Sequence, residues 1–200
     1  MFTLCHALLA DARFLSLLTQ FDADIAGQVR AAGCRCGGRL HSARYRRKPR
    51  GAAIDLGADY EWRHSFCCAV DGCRRRVTPP SVRYLGRRVY LGVAVVVLSA
   101  MCHGLSQRRV AYLHEHLGAS VRTLRRWRQW WREVFVTSAV WRQACGWLVP
   151  PLAAQELPAA LLDRLRGACR ERLRQVLGML GPLTTSSATA EGIALAAVRG

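Results

Sequence analysis

Two close cysteine pairs constrain the fold of this 200-residue chain more than any other feature of its sequence. The first pair is Cys34-x-Cys36, the second is Cys68-x4-Cys73, and 31 residues separate the two pairs. For the four sulfurs to converge, the chain between the pairs must fold back on itself, which predicts a small β unit. Glycines after the first pair and before Cys73 permit the tight turns that such a unit needs.

The number and type of these side chains favour a bound metal ion. Zn²⁺ in structural sites takes four ligands in tetrahedral geometry, and a zinc ribbon supplies them as two cysteine knuckles on neighbouring hairpins. We therefore expect Zn²⁺ to be bound by Cys34, Cys36, Cys68 and Cys73. The C-x-C spacing of the first pair is shorter than the usual two to four intervening residues, so its turn must be unusually tight.

The residues before the second pair alternate in character. Across residues 60–66 every second residue is aromatic or His, and the residues between them are polar. Such period-two alternation predicts a β-strand. It also places Cys68 on the aromatic face and Cys67 on the opposite one, so Cys68 is the favoured ligand and Cys67 its alternative. His41 and His64 are spare ligand candidates. The commoner interpretation of each is that it simply lies in a hairpin or contacts phosphate.

Positive charge is concentrated in the middle of the chain. The protein has 30 Lys and Arg residues against 13 Asp and Glu residues, a formal net charge of +17. Residues 30–132 contain 22 of the basic residues and 5 of the acidic ones, so this segment alone accounts for the whole net charge. Such a field attracts polyanions, of which nucleic acid is the commonest inside cells. The hydrophobic fraction of 51% argues against global disorder.

Neither an export signal nor a membrane span is expected. Residues 1–10 lack the basic residues that begin a signal peptide. The longest apolar run, residues 89–102, is 14 residues long, short of the ~20 that span a bilayer. We therefore expect a cytoplasmic, nucleoid-associated protein with no membrane partner, in which nine cysteines favour metal binding over disulfides. Four cysteines in apolar helical contexts are expected to be small core residues: Cys5, Cys102, Cys145 and Cys169.

Residues 105–135 predict two helices joined by a short turn. Ser106 can cap a first helix that Gly118 ends, and Ser120 can cap a second helix that runs to at least Phe135. Residues 89–101 are apolar nearly throughout, a pattern that fits either a strand or a buried helix. Their length favours a buried helix beneath these two, which completes a three-helix unit. On the second helix, one apolar face at three- and four-residue spacing comprises Val121, Leu124, Trp127, Trp131 and Phe135.

The opposite face of the second helix carries residue types that read DNA. Arg makes bidentate contacts to guanine and Gln to adenine, and a helix-turn-helix places such a helix in the major groove. Two further basic clusters are expected to contact phosphates. The candidate base-reading residues are Arg122, Arg125, Arg126, Gln129 and Arg132; the candidate phosphate contacts are Arg74, Arg75 and Arg76 and the segment 44–50, including Arg46 and Arg47.

Together these patterns predict an α+β protein that is mostly α-helical. In the N-terminal segment, Asp24 is expected to cap a short helix that ends at Gly33. A Thr-, Ser- and Ala-rich tail from about Gly181 is expected to be disordered. The segments are a helical lead-in (1–33), a small zinc-ribbon-like β unit (34–78), a three-helix helix-turn-helix unit (81–149), and a C-terminal amphipathic helix with the tail (150–200).

The order of these parts resembles a known architecture. A cysteine knuckle is followed by an aromatic strand that runs into Cys-x4-Cys-Arg-Arg-Arg-Val-Thr-Pro, residues 68–79. The helix-turn-helix then contains Gly-x-Ser-x-x-Thr-Leu-x-x-Trp, residues 118–127. Over residues 30–135 this arrangement is similar to the N-terminal DNA-binding half of bacterial insertion-element transposases. The resemblance implies a zinc ribbon and a helix-turn-helix that bind the ends of the element.

Catalysis by this chain alone is not expected. Transposases of this kind add an RNase H-like domain with three metal-binding carboxylates, which needs more residues than follow position 149. The four acids there lie on or near a short amphipathic helix: Glu156, Asp163, Glu171 and Glu191. Two-metal phosphoryl transfer instead needs carboxylates that converge from a rigid sheet. The expected function is sequence-specific binding of double-stranded DNA, with a separate transposase catalytic subunit as a candidate partner and a homodimer as a candidate assembly.

Two other functions fit the same sequence. An RNA-binding zinc ribbon would stack unpaired bases on Tyr60, Trp62 and Phe66. A scaffold or interaction protein would dimerise through residues 158–180 and bind an acidic protein with its basic patch.

Overall fold

A long helix, α1, spans Ala12–Ala32 in the computed structural model, which describes residues 7–85, 90–101 and 107–185. Asp11 caps this helix by accepting a 3.0 Å hydrogen bond from the backbone N–H of Phe14. Gly33, with a φ of 74°, ends the helix as predicted. The predicted cap at Asp24 is wrong, because buried residues recur at helical spacing on both sides of it and the helix continues through it.

Two small antiparallel sheets follow α1. The second, smaller sheet pairs β2 (Tyr45–Arg46) with β3 (Trp62–Arg63). A one-turn helix, α2 (Gly57–Tyr60), precedes β3 in the chain. In the first, the strand order is β1 (Leu40–Ser42), β4 (Phe66–Cys68) and β5 (Arg76–Val77). Because Leu40 lies opposite Cys68 in this sheet, the segments that carry the two cysteine pairs lie side by side.

The alternating stretch 60–66 is less regular than predicted. A two-residue break divides the strand into β3 and β4, although the aromatic residues at both ends of the stretch are buried as expected. Arg63 and Ser65, expected on the polar face, are only 2% and 1% exposed. Arg63 donates hydrogen bonds to the carbonyls of residues 79–80, and Ser65 accepts one from Arg76. These hydrogen bonds to neighbouring segments take the place of the hydrogen bonds to water that the alternating pattern predicts for the polar residues.

The rest of the described chain is helical, and the fold is α+β with helices predominating, as predicted. The predicted buried helix is α3, and all ten of its residues are buried. No helix in the described ranges combines the length and apolar character needed to cross a membrane. The α-helices of this part are α3 (Gly92–Met101), α4 (Gln107–Leu117), α5 (Val121–Gln129), α6 (Ala139–Cys145), α7 (Ala159–Arg164) and α8 (Cys169–Leu180).

Helix α5 continues without a break into less regular turns. A π-helical segment covers Trp130–Val134, and a 3₁₀ turn covers Phe135–Thr137. The helical path therefore reaches Phe135, as the sequence predicts, but its α-helical part ends at Gln129.

Segments from both ends of the chain share one hydrophobic core. Phe14 of α1, Val96 of α3, Leu161 of α7 and Leu173 of α8 are all completely buried within it. The lead-in, the helix-turn-helix unit and the C-terminal helices thus pack against one another. A smaller cluster joins α1 to the β unit and consists of Ala26, Cys34, Leu40, Phe66 and Cys68.

The C-terminal segment departs from the prediction at its end. Its amphipathic stretch forms two helices, α7 and α8, instead of one. A 3₁₀ turn then covers Gly181–Thr184, where the side-chain hydroxyl of Thr184 accepts a 2.9 Å hydrogen bond from the N–H of Ser81. The prediction of disorder from about Gly181 is therefore wrong for these four residues, and residues 186–200 lie outside the described ranges.

The cysteines outside the two pairs have varied surroundings. Cys145 is exposed, so its predicted core position is wrong. Cys169 is partly buried against the core. It is also disulfide-bonded, contrary to the expectation that these cysteines avoid disulfides. Cys5 and Cys102 lie outside the described residues.

Candidate metal centre and nucleic-acid interface

The four predicted cysteine ligands lie together. The Sγ atoms of Cys34, Cys36, Cys68 and Cys73 are all within 4.8 Å of one another. Cys34 Sγ lies 3.8 Å from Cys73 Sγ, and Cys36 Sγ lies 3.5 Å from Cys68 Sγ. Tetrahedral ligands with metal–sulfur bonds of about 2.3 Å have their sulfurs about 3.8 Å apart. The cluster could therefore hold one tetrahedral metal ion with four sulfur ligands.

Glycines make the short C-x-C spacing of the first pair possible. Gly33 and Gly37 have φ values of 74° and 81°, a left-handed backbone that other residues rarely adopt. The N–H of Cys34 donates to the carbonyl of Gly38 at 2.9 Å, and the N–H of Gly37 donates back to Cys34 at 2.8 Å. A Cβ on Gly38 would lie 2.7 Å from the sulfur of Cys68. The tight turn thus brings its backbone directly against the second pair.

Backbone N–H groups face three of the four sulfurs. Hydrogen bonds lower the pKa of the Cys36 thiol to about 7, first the one from the N–H of Gly38 and then those with the three neighbouring thiols. The N–H groups of Val70 and Arg75 face the two sulfurs of the second pair and lower the pKa of each, although burial and the neighbouring thiols raise it by more. Each donor lies two residues after its cysteine. Such donors stabilise the thiolate, which is the form that binds metal.

The favoured ligand and its alternative lie on opposite faces of β4. Cys68 is buried in the cluster, whereas the thiol of Cys67 lies 3.4 Å from the backbone carbonyl of Arg74, away from it. The metal-binding group that the described residues form includes neither His41 nor His64. His64 is partly buried, and burial lowers the pKa of its ring. Strand alternation thus predicted which of the two adjacent cysteines joins the cluster.

The turn between α4 and α5 has the predicted caps. Gly118, with a φ of 63°, ends α4. The side chain of Ser120 caps α5 by accepting a 3.2 Å hydrogen bond from the N–H of Thr123. Two helices joined by a three-residue turn are the framework of a helix-turn-helix. The predicted cap of the first helix, Ser106, lies outside the described residues.

The inner face of α5 follows the predicted pattern with one exchange. Val121 is 42% exposed, because it is the first residue of the helix and lies beyond the core. Thr123 takes a buried position instead, and its hydroxyl is satisfied by a 3.0 Å hydrogen bond with Ser120. The other four predicted residues of this face are buried: Leu124, Trp127, Trp131 and Phe135.

The outer face of α5 is basic and exposed. Gln129 donates a 2.9 Å hydrogen bond to Glu133. Arg132 differs from the rest, because the 3₁₀ turn Ala154–Glu156 lies beside it. It is partly buried and donates a 3.2 Å hydrogen bond to the carbonyl of Gln155. The predicted residues that remain exposed are Arg122, Arg125, Arg126 and Gln129.

The arginines after the second cysteine pair have different roles. Arg76 donates to the hydroxyl of Ser65 and to the carbonyl of Ala43, so it links three strand segments. Arg74 forms an ion pair with Asp71. Arg75 is exposed and is the member of this trio best placed to contact a phosphate.

Arg46 and Arg47 lie over aromatic rings. Arg46 is exposed, and its guanidinium carbon lies 5.1 Å from the ring centroid of Trp62. Arg47 lies 5.1 Å from the ring centroid of Tyr45 and donates a 3.1 Å hydrogen bond to its hydroxyl. Cation–π contacts of this kind hold arginines in place at a surface.

The residues that sequence reasoning missed are those that join the β unit to the helices. Asp22 of α1 and Arg83 form a buried ion pair with an Oδ2–Nε distance of 2.8 Å. Arg83 also donates to the carbonyls of Tyr60 and Trp62, and Asp22 accepts from the hydroxyl of Ser81. No local signal marks this pair, because the two residues lie 61 positions apart in the sequence.

Comparisons of the chain with protein-family models, with curated proteins and with solved structures found no match in any of the three.

Proposed function

We propose that this chain is a sequence-specific double-stranded DNA-binding protein of insertion-element, transposase-related origin that is not catalytic on its own. The observation that carries the proposal is the outer face of α5, which presents exposed basic and amide side chains on a helix that is capped at a tight turn and packed through its other face. A helix of this kind can enter the major groove with its N-terminal half.

The exposed residues of α5 divide by position. Arg122, Arg125 and Arg126 lie in its first two turns, where a recognition helix contacts base edges. Arg contacts to guanine are the commonest specific contacts in the major groove. Arg75 and Arg46, which lie outside α5, supply contacts to phosphate, and these set the register of the protein on the duplex without reading sequence.

Zn²⁺ is the proposed metal. Four cysteine sulfurs at tetrahedral separations form a closed site with no open coordination position, as in structural zinc centres. Bound there, the metal would cross-link the first turn, which holds Cys34 and Cys36, to Cys68 of β4 and to Cys73. This is a folding role, and the chemistry does not require the metal to contact DNA.

A separate transposase catalytic subunit is the proposed protein partner, and the nucleoid is the proposed location. The carboxylates of the described residues after position 149 lie on three different elements, with Glu156 in a 3₁₀ turn, Asp163 in α7 and Glu171 in α8, and Glu191 lies outside the described residues. Glu171 is already paired with Arg174 at 2.6 Å. These placements favour a division of labour in which this chain binds DNA and another chain cuts it.

The two other functions have weaker support. Tyr60 and Phe66 are buried, so two of the three aromatic rings that would stack on RNA bases face the interior. The apolar side chains of residues 158–180 that would form a dimer, including Leu173 and Val176, are buried in the core of the protomer itself.

The experiment is a selection of duplexes from a random pool with the zinc-loaded protein. Fluorescence anisotropy at matched salt then compares the selected duplex with a scrambled duplex and with single-stranded RNA. We expect the selected duplex to bind about 10³-fold more tightly than the scrambled one. Equal affinity for all duplexes, or a preference for the RNA, would overturn the proposal.

A further inference from the structure

The segment 44–50 presents cations at every second position. Its odd-numbered residues are half-buried, whereas its even-numbered residues are exposed. Tyr45–Arg46 is the strand β2, and the alternation of burial continues beyond it to Arg50. Where the backbone is extended, alternate residues lie about 6.6 to 6.8 Å apart on one side, which is close to the spacing of successive phosphates along a nucleic-acid strand. Pro49 restricts the residue before it to extended backbone, which maintains the alternation. The four exposed residues, here called the cation row, are Arg44, Arg46, Lys48 and Arg50.

One aromatic ring orders the first half of the cation row. The guanidinium carbons of Arg44 and Arg46 lie 4.8 and 5.1 Å from the same ring centroid, that of Trp62. A stacked guanidinium keeps its N–H groups at the edges, free to bind phosphate oxygens. Because stacking already restricts these long side chains, less entropy is lost when they bind.

The last residue of the cation row is tied to the helix-turn-helix through Tyr90. Arg50 accepts a 2.9 Å backbone hydrogen bond from Leu91 and forms a β-bridge with Tyr90. The hydroxyl of Tyr90 donates to the carbonyl of Gly118, in the turn between α4 and α5, at 2.9 Å. Its ring packs edge-on against Trp127 of α5 at 4.9 Å. Tyr90 thus connects the end of the cation row, through its backbone, with the turn and α5, through its side chain.

Gly51 holds the same end of the cation row against α3. It has a φ of 93° and is buried, and a Cβ at this position would lie 2.6 Å from the Cβ of Ala94. The backbone after Arg50 therefore approaches α3 more closely than any other residue type would allow.

We propose that the cation row binds phosphates of the same duplex whose major groove α5 reads. These phosphates lie immediately beside that groove. Tyr90 is the positioning residue that sets the placement of the cation row relative to α5. The inference rests on the proposed function and extends the phosphate contact proposed for Arg46 to a row of four cations whose placement relative to α5 is fixed. The partner of this surface is the sugar–phosphate backbone of double-stranded DNA.

The first test measures how the affinity for the selected duplex depends on salt. Each phosphate contact contributes about 0.9 to the slope of log K against log salt concentration. We expect Lys48→Ala/Arg50→Ala to reduce the slope by about 1.8. The matched control is Arg13→Ala/Arg166→Ala, which removes the same charge from two exposed positions on other elements, and its slope should stay close to that of the unmodified protein. An unchanged slope in the first variant, or an equal loss in both, would overturn the inference.

The second test maps ethylated phosphates that block binding. We expect two groups in the unmodified protein, one beside the bases read by α5 and one flanking it, and we expect Lys48→Ala/Arg50→Ala to lose the flanking group only. Tyr90→Phe, which keeps the ring contact with Trp127 and loses the hydroxyl, should weaken interference in the flanking group more than in the other. A uniform loss across both groups would show that Tyr90 serves stability alone and would overturn its positioning role. If no duplex can be selected, the proposed function fails; if a duplex is selected but shows one group, only this inference fails.

Discussion

Asp22 and Arg83 form an ion pair that is almost completely shielded from water, with side-chain exposures of 0% and 1% and an oxygen–nitrogen distance of 2.8 Å. Asp22 belongs to α1, and Arg83 belongs to the segment between the β unit and α3. The remaining donors of Arg83 bind the carbonyls of Tyr60 and Trp62 at 3.0 and 2.8 Å. The pair therefore fixes the β unit against the helices, and with it the metal centre relative to α5.

Loss of one member of this pair should destabilise the protein strongly. Arg83→Met removes the positive charge and leaves the buried carboxyl group of Asp22 without its charged partner, which we expect to lower the free energy of unfolding by about 3 to 5 kcal/mol. Urea denaturation followed by tryptophan fluorescence measures this change. In the double variant Asp22→Asn/Arg83→Met, the decrease in the free energy of unfolding should be smaller than the sum of the decreases in the two single variants, because the two side chains interact directly.

The control for this prediction is an ion pair at the surface. Arg170 lies 2.7 Å from Asp11, but its side chain is 49% exposed. Arg170→Ala should therefore cost less than about 1 kcal/mol. Similar losses for Arg83→Met and Arg170→Ala would contradict the role assigned to the buried pair.

The parts of the structure that the sequence predicted correctly are those with local signals. Ser120 and Gly118 mark the ends of α5 and α4, because capping chemistry depends on residues within one turn. Alternation around β4 distinguished Cys68 from Cys67 for a similar reason, since neighbouring residues of a strand face opposite sides.

The parts that failed depend on contacts between residues that are distant in the sequence. Arg63 is buried because the carbonyls of residues 79–80 accept its hydrogen bonds, which alternation cannot register. Arg132 is only partly exposed, unlike the other predicted residues of the outer face, because it donates a hydrogen bond to the carbonyl of Gln155, 23 positions away. The ordered turn at Thr184 likewise depends on a contact 103 positions away, at Ser81.

The two adjacent cysteines should differ in metal binding. Cys68→Ser removes a sulfur from the cluster, so we expect the purified protein to lose most of its bound zinc and to unfold at a lower temperature. Cys67→Ser should keep one zinc per chain, because that thiol faces away from the cluster. Elemental analysis of both variants gives the zinc content and identifies the metal. Zinc loss in Cys67→Ser with retention in Cys68→Ser would reverse the ligand assignment.

A methyl group on Gly38 should disturb the metal centre. The added Cβ would lie 2.7 Å from the sulfur of Cys68 and 2.7 Å from a methyl of Val70, so the two cysteine pairs would be pushed apart. We expect Gly38→Ala to weaken zinc affinity by at least about tenfold in a competition with a chromogenic chelator, the scale that follows when a metal ligand loses its support. Gly72→Ala is the control, because a Cβ there meets nothing within 4 Å. Equal affinities in the two variants would argue against close packing at the first turn.

Base contacts and phosphate contacts should respond differently to mutation. Arg125 is exposed on the outer face of α5, so Arg125→Ala should lower affinity for the selected duplex by about 1 to 3 kcal/mol while leaving scrambled duplexes almost unaffected. Arg75 is exposed in the β unit, so Arg75→Ala should weaken binding to every duplex by the same factor and reduce the salt slope by about 1. Anisotropy titrations of both variants against both duplexes, at three salt concentrations, separate the two effects. The same loss on every duplex for both variants would contradict this division, because it would mean that α5 contacts DNA only through its charge.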